Sequence, residues 1–142
     1  MNFKILIYVF TIILFSCTNP KYDVIIVGGG ASGITSAIQS SRLGSKTLLI
    51  EKTDWLGGML TSAGVSAMDG NYNMPSGFVK EFRDSLVSYY GSLQSLKTGW
   101  VSNIMFEPSV GNKILNSIAQ SENNLDIIFN SSVKEIYNKN DK

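Results

Sequence analysis

The sequence contains no histidine, one cysteine and three prolines in 142 residues. Without histidine, the chain has no imidazole that could act as an acid or base near neutral pH. The single cysteine, Cys17, excludes an internal disulfide and a multi-cysteine metal site, and the sequence predicts no metal site. An excess of charge of either sign is also lacking, because the formal net charge is only +1. No strong electrostatic field therefore indicates a nucleic-acid partner.

The length and composition are those of one globular domain. The chain is long enough for an ordinary domain, and 44% of its residues are apolar. It has no internal repeat and no run of like charge. Its 13 glycines are clustered, and the clusters carry the functional information.

The first 17 residues have the pattern of a targeting signal. Lys4 precedes an apolar run over residues 5–15, in which Thr11 is the one polar residue. The run is shorter than the roughly 20 residues that span a bilayer, but it has the length of a signal-peptide core. It ends in "LFSC", which resembles the lipobox of bacterial lipoproteins, where the cysteine is lipidated and becomes the N-terminus.

This resemblance predicts a lipoprotein-type signal peptide over residues 1–17, lipidation at Cys17 and a tether over residues 18–21. The protein would then be lipid-anchored at the bacterial cell envelope, with membrane contact through Cys17. The alternatives are an ordinary secretory signal, which would give a secreted or periplasmic protein, or an uncleaved anchor in which Cys17 is incidental.

A strand, a glycine-rich turn, a helix and a second strand follow the tether. Residues 22–27 are rich in β-branched side chains and predict a strand buried on both faces of a parallel sheet. The next helix ends near Gly44, a favoured position for glycine, and residues 46–50 form the second strand. This order predicts an α/β fold with a Rossmann-like parallel sheet that binds a dinucleotide.

The turn carries glycines at GxGxxG spacing. Gly28 permits the tight turn, Gly30 lets a pyrophosphate approach the backbone, and Gly33 lets the helix pack closely on the strand. Ala31 belongs to the same cofactor-binding turn. The helix N-terminus offers free N–H groups and about half a positive charge to a diphosphate.

Glu51 closes the second strand about 20 residues after the turn, where a carboxylate can accept hydrogen bonds from both hydroxyls of a ribose. A 2′-phosphate would meet like charge there, so the sequence disfavours NADP.

Beyond Glu51 the chain reads "EKTDWLGGMLT", and here it resembles the bacterial FAD-dependent oxidoreductases of the glutathione-reductase-like superfamily, which carry two dinucleotide-binding motifs. The resemblance covers residues 22–137 and is most specific over residues 24–61. It implies FAD as the cofactor, with Gly57 and Gly58 running close to the FAD diphosphate and ribityl chain. Nicotinamide-binding domains have no such requirement.

The resemblance also assigns roles to single residues. Ser32 would cap the phosphate end of the helix, and Lys52 would lie near the adenosine. Thr61 would approach the flavin side together with Met59 and Leu60, although these two fit core packing equally well. Val133 would pair its backbone with the adenine.

The remaining sequence predicts helices over residues 76–91 and 106–123. It also predicts a third parallel strand over residues 125–130 and a further strand over residues 133–138. Trp100 is interpreted as a packing residue rather than a substrate-side aromatic.

Members of the resembled family continue for several hundred residues, with a substrate domain over the flavin. Residues 22–142 are therefore interpreted as the truncated N-terminal part of an FAD-binding Rossmann-like domain, incomplete at its C-terminal side. The whole protein would be an FAD-dependent oxidoreductase acting on a small-molecule substrate of unknown identity, and this chain alone would be inactive. No catalytic residue is assigned. The alternatives are an NAD-dependent dehydrogenase and a non-catalytic envelope lipoprotein remnant.

Overall fold

The computed structural model describes residues 21–70 and 72–138. The predicted signal peptide with Cys17 and residues 18–20 of the predicted tether lie outside the described residues. Within the described ranges, none of the helices has the length and apolar character needed to cross a bilayer.

The described residues form three short strands and three α-helices. The strands are β1 (Val24–Val27), β2 (Thr47–Ile50) and β3 (Leu125–Ile128). The helices are α1 (Ala31–Arg42), α2 (Gly77–Tyr90) and α3 (Pro108–Gln120). Short 3₁₀ turns cover Gly58–Leu60 and Gln94–Leu96.

The three strands form one parallel sheet in the order β1-β2-β3. Val27 pairs with Ile50, and Ile50 pairs with Ile128, so all three strands end at one edge. This confirms the α/β fold class. The residues that directly follow β1 and β2 therefore lie side by side at this carboxyl edge.

The core lies between the sheet and the helices. Helix α1 buries one face at helical spacing, as predicted, through Ile34, Ala37, Ile38 and Ser41. Phe82 of α2 meets Phe106 edge-on at a ring-centroid distance of 5.4 Å. Each large apolar side chain buried in this way contributes about 1.5–3 kcal/mol, and this packing fixes α1 against the sheet.

Arg42 links the last turn of α1 to two other parts of the fold. Its guanidinium donates two hydrogen bonds of 2.7 Å to Glu81 of α2 and a third, also 2.7 Å, to Glu122 after α3. The bond to Glu81 raises the pKa of the guanidinium beyond its already high value, although partial burial opposes this. A planar guanidinium suits such a fork, and it ties the three helices together at the end opposite the glycine turn.

Two predictions about burial are wrong. Strand β1 is covered on the α1 side only: Ile25 and Val27 are 58% and 59% exposed, so it is not buried on both faces. Trp100 is 97% exposed and does not pack in the core. The helices cover one face of the sheet among the described residues, and the Trp100 side chain lies in a loop where it is exposed to solvent.

The strand predicted over residues 133–138 is also wrong. Asn130 adopts a left-handed backbone with φ 53°, and the chain turns there instead of continuing beside the sheet. Val133 and Ile136 then line a groove with Ile25 and Val27. No strand forms among the described residues 131–138.

Candidate functional site

The glycine turn connects the end of β1 to the start of α1. Gly28 has φ +96°, a left-handed conformation that favours glycine, and its N–H donates to the Ile50 carbonyl at 2.8 Å. Gly30 is the N-cap of α1, and its carbonyl accepts the first helical hydrogen bond from Ile34 at 2.9 Å. The free N–H groups of a first helical turn therefore begin directly after Gly30.

Gly30 and Gly33 lack side chains for different structural reasons. A Cβ on Gly33 would lie 1.9 Å from the Gly28 carbonyl oxygen, so α1 could not keep its place against the turn. A Cβ on Gly30 would meet nothing within 4 Å. Gly33 therefore serves helix packing, and Gly30 faces open space in front of the helix N-terminus.

Glu51 lies beside this turn and is only 7% exposed. Its Oε2 accepts a hydrogen bond of 2.5 Å from the Gly29 N–H. Its Oε1 accepts two from Thr53: 2.9 Å from the backbone N–H and 2.8 Å from the hydroxyl. The carboxylate is thus held between the ends of β1 and β2.

Burial raises the pKa of Glu51. The hydrogen bonds from Gly29 and Thr53, with a smaller contribution from the Lys52 charge, lower the pKa by more than burial raises it. The net effect is a pKa below the ordinary value of 4.5. Glu51 is therefore an anion at neutral pH, and it can act as an acceptor for a hydroxyl group.

A second glycine pair forms the other wall of the site. The Gly57 N–H donates to the Gly29 carbonyl at 2.8 Å, and Gly57 itself has φ +106°. A Cβ on Gly58 would lie 3.0 Å from the Gly30 Cα. Only residues without side chains allow these two loops to approach so closely.

The peptide groups of Leu56 fix this second loop. The Leu56 N–H donates to Asn112 Oδ1 of α3 at 2.9 Å, and the Leu56 carbonyl accepts from the Thr61 hydroxyl. Asn116 donates its side-chain amide to the same Asn112 oxygen at 2.8 Å, which orients the Asn112 amide. Helix α3 therefore positions the loop that carries Gly57 and Gly58.

The remaining predicted residues near the glycine turn differ in how exposed their side chains are. Ala31 and Ser32 are the first two residues of α1; the N-cap is Gly30, so Ser32 does not cap the helix, and its side chain is exposed. Lys52 is exposed beside Glu51. Thr61 is 1% exposed, and its hydroxyl is used within the loop.

Val133 lies in a groove of about 420 Å³ on the exposed side of β1 and β2. The chain reaches it from the carboxyl edge of the sheet, where the Ser131 N–H donates to the Glu51 carbonyl at 3.0 Å.

Sequence reasoning missed three contributors. Gly29 lies between the glycines of the GxGxxG spacing and received no role from it, yet its N–H binds the Glu51 carboxylate. Thr53 carried a local signal, since a hydroxyl two residues from a carboxylate can bond to it. Asn112 had no such signal, because its partner Leu56 is 56 positions away.

Comparison with known proteins assigns a family to this arrangement. The model of the FAD dependent oxidoreductase family matches residues 23–142. The carotenoid phi-ring synthase of Chlorobaculum tepidum is 30% identical over 105 residues, which are 74% of this chain and 16% of that protein. The NADH:fumarate oxidoreductase of Klebsiella pneumoniae is 36% identical over 87 residues, or 59% of this chain and 9% of that protein.

One further relative matches over a shorter stretch, and one solved structure aligns with most of the chain. The dihydrolipoyl dehydrogenase of Trypanosoma brucei brucei is 46% identical over 50 residues, 35% of this chain and 10% of that protein. Among solved structures, the THI4 protein of Thermovibrio ammonificans aligns with 89% of this chain and 44% of its own, at 17% identity and a TM-score of 0.45. The chain spans 16% or less of the length of these three curated relatives.

Proposed function

The chain belongs to the FAD dependent oxidoreductase family, and we propose that its carboxyl sheet edge holds the adenosine diphosphate part of FAD. FAD is the cofactor of this family. The proposal concerns which residues of this chain bind it, and with which atoms.

The open space in front of Gly30 is the main support for diphosphate binding at the glycine turn. The residue before Gly30, Gly29, donates its N–H to the Glu51 carboxylate and accepts from the Gly57 N–H, and a Cβ on Gly30 would meet no atom within 4 Å. The N-terminus of α1 begins beside that space, where N–H groups and the helix dipole favour an anion. The residues present therefore fit a diphosphate held by backbone N–H groups of residues 30–33.

Glu51 is proposed to accept a hydrogen bond from the adenosine ribose. Three protein donors already occupy three of the roughly four acceptor positions of its carboxylate. One position is left for a ribose hydroxyl, and binding of both hydroxyls would require the Gly29 or the Thr53 donor to move away. Glu51 can therefore bind one ribose hydroxyl as it stands, whereas the sequence predicted that it binds both.

When bound, FAD supplies the redox chemistry. The described residues bind and orient its adenosine diphosphate part, and no acid or base among them is assigned to a proton transfer. For the whole protein we propose an FAD-dependent oxidation or reduction of a small molecule. The targeting pattern of residues 1–17 supports a lipid-anchored location at the bacterial cell envelope.

A competition titration tests this function. The full chain is titrated with FAD, ADP and NAD⁺, and binding is followed by calorimetry. We expect ADP to compete with FAD, because both present the same adenosine diphosphate. NAD⁺ shares this part but has no ribityl chain for the loop of Gly57 and Gly58, so it should bind more weakly than FAD. Tighter binding of NAD⁺ than of FAD would favour the NAD-dependent alternative, and no binding of any of the three would favour a non-catalytic remnant.

A further inference from the structure

We propose that Thr53 is a positioning residue for the adenosine ribose of FAD, acting through the Glu51 carboxylate. The proposal rests on the proposed function, since it assumes that Glu51 accepts a ribose hydroxyl. Thr53 itself lies behind the carboxylate and is assigned no contact with the cofactor.

The geometry gives Thr53 two contacts with one oxygen atom. Its backbone N–H lies 2.9 Å from Glu51 Oε1, and its hydroxyl lies 2.8 Å from the same atom. The other oxygen, Oε2, is held by the Gly29 N–H. The carboxylate is therefore fixed at both oxygens, which sets the direction of its one remaining acceptor position.

The Thr53 hydroxyl has two acceptors within reach. Glu51 Oε1 lies at 2.8 Å, and the Trp55 carbonyl oxygen lies at 3.1 Å. The carboxylate is closer and charged, so it accepts the hydrogen bond from the hydroxyl, because charge-assisted hydrogen bonds are the stronger ones. The Trp55 N–H then donates to the Thr53 hydroxyl oxygen at 3.2 Å, which orients the hydroxyl toward Glu51.

The backbone of Thr53 is held independently of its side chain. Its carbonyl accepts a hydrogen bond of 3.1 Å from the Asn130 N–H, and the Glu51 N–H donates to the Ile128 carbonyl at 2.9 Å. The loop is thus anchored to the end of β3. Removing only the hydroxyl should leave the loop in place and release one donor from the carboxylate.

The charged side chains of this loop are Lys52 and Asp54, and the glycine turn on the other side of Glu51 carries none. Burial raises the pKa of Glu51, while the hydrogen bonds from Gly29 and Thr53 and, less strongly, the Lys52 charge lower it. Removing the Thr53 hydroxyl should therefore raise the pKa of Glu51 while Lys52 stays unchanged.

The test compares Thr53→Val, which keeps the shape and removes the hydroxyl, with Thr53→Ser, which keeps the hydroxyl. Two measurements are made on the full chain: the pKa of Glu51 from its carboxyl ¹³C shift, and the affinity for ADP across the acidic range. For Thr53→Val we expect a higher Glu51 pKa and an affinity weaker by about three- to tenfold. The loss of affinity on acidification should also begin at a higher pH.

Thr53→Ser should behave like the parent in both measurements. Equal losses in the two variants would assign the effect to the Thr53 methyl group and overturn the proposal. An unchanged pKa and affinity in a folded Thr53→Val protein would also overturn it. If the parent binds neither ADP nor FAD, the proposed function itself fails, and that outcome is distinct from a parent that binds while Thr53→Val has no effect.

Discussion

The Gly29 N–H donates to Glu51 Oε2 at 2.5 Å, joining residues 22 positions apart at the ends of two neighbouring strands. Glu51 is almost fully buried there, and a buried carboxylate is stable only with such partners. The same group thus holds the glycine turn in place and, in the proposed function, also accepts a hydrogen bond from the ribose. Its replacement should affect both stability and binding.

Replacement of Glu51 by alanine should weaken FAD binding. The loss of a charge-assisted hydrogen bond to the ribose, and of the support that Glu51 gives the turn, should cost about 1.5–3 kcal/mol, roughly ten- to a hundredfold in affinity. Calorimetric titration with FAD and ADP measures it. Glu51→Gln is the matched control for shape and should lose less. Unchanged affinity in Glu51→Ala would show that Glu51 serves only the fold.

The elements predicted from the sequence were those set by local patterns. Helix α3 begins at Pro108, where a missing N–H has no cost, and α2 ends at Tyr90, directly before Gly91 with φ +86°. The glycine spacing and the acid after β2 likewise located the candidate site, because the parallel register brings the strand ends together.

The errors concern features that depend on distant partners. A strand over residues 133–138 would need a neighbouring strand, and the chain instead turns at Asn130. Burial of Trp100 would need a surface to cover it. The role of Asn112 depends on a contact with Leu56 across 56 positions, which no local pattern contains.

Alanine at Gly30 and at Gly33 should separate binding from folding. Gly30→Ala adds a methyl group in open space, so the thermal midpoint should stay close to the parent value while ADP and FAD binding is lost. Gly33→Ala places a Cβ 1.9 Å from the Gly28 carbonyl oxygen and should destabilise the fold by more than about 3 kcal/mol. Circular dichroism and calorimetry measure both. A folded Gly30→Ala protein that binds normally would exclude the diphosphate from this place.

Loss of the Asn112 side chain should loosen the second glycine loop. Asn112→Ala leaves the Leu56 N–H without its acceptor, which should cost about 1–3 kcal/mol of stability. Amide exchange at Leu56 should accelerate more than exchange in β2. Asn116→Ala is the matched control: it removes the amide that orients Asn112 but keeps the acceptor, so its effect should be smaller. Equal effects would assign the loss to helix α3 as a whole.

The envelope location can be tested at Cys17, which lies outside the described residues. If the cysteine is lipidated, Cys17→Ser should release the protein from the membrane fraction or block its processing. Fractionation and mass spectrometry of the processed N-terminus measure this. Ser16→Ala, which keeps a small residue before the cysteine, should fractionate like the parent. Identical processing of Cys17→Ser and the parent would contradict lipidation.

The lowered pKa of Glu51 should make the stability depend on pH. Below the ordinary glutamate pKa of 4.5, the folded chain binds fewer protons at Glu51 than the unfolded chain, so stability rises with pH in this range. The contribution is complete above that value and is lost as the pH falls through the lower folded-state pKa. Urea unfolding between about pH 6 and pH 3 measures it.

Glu81 and Asp84 also have lowered pKa values, but both remain in Glu51→Gln, so the difference between the parent and Glu51→Gln isolates the contribution of Glu51. Glu51→Gln should show the shallower slope, and parallel curves would contradict the assignment.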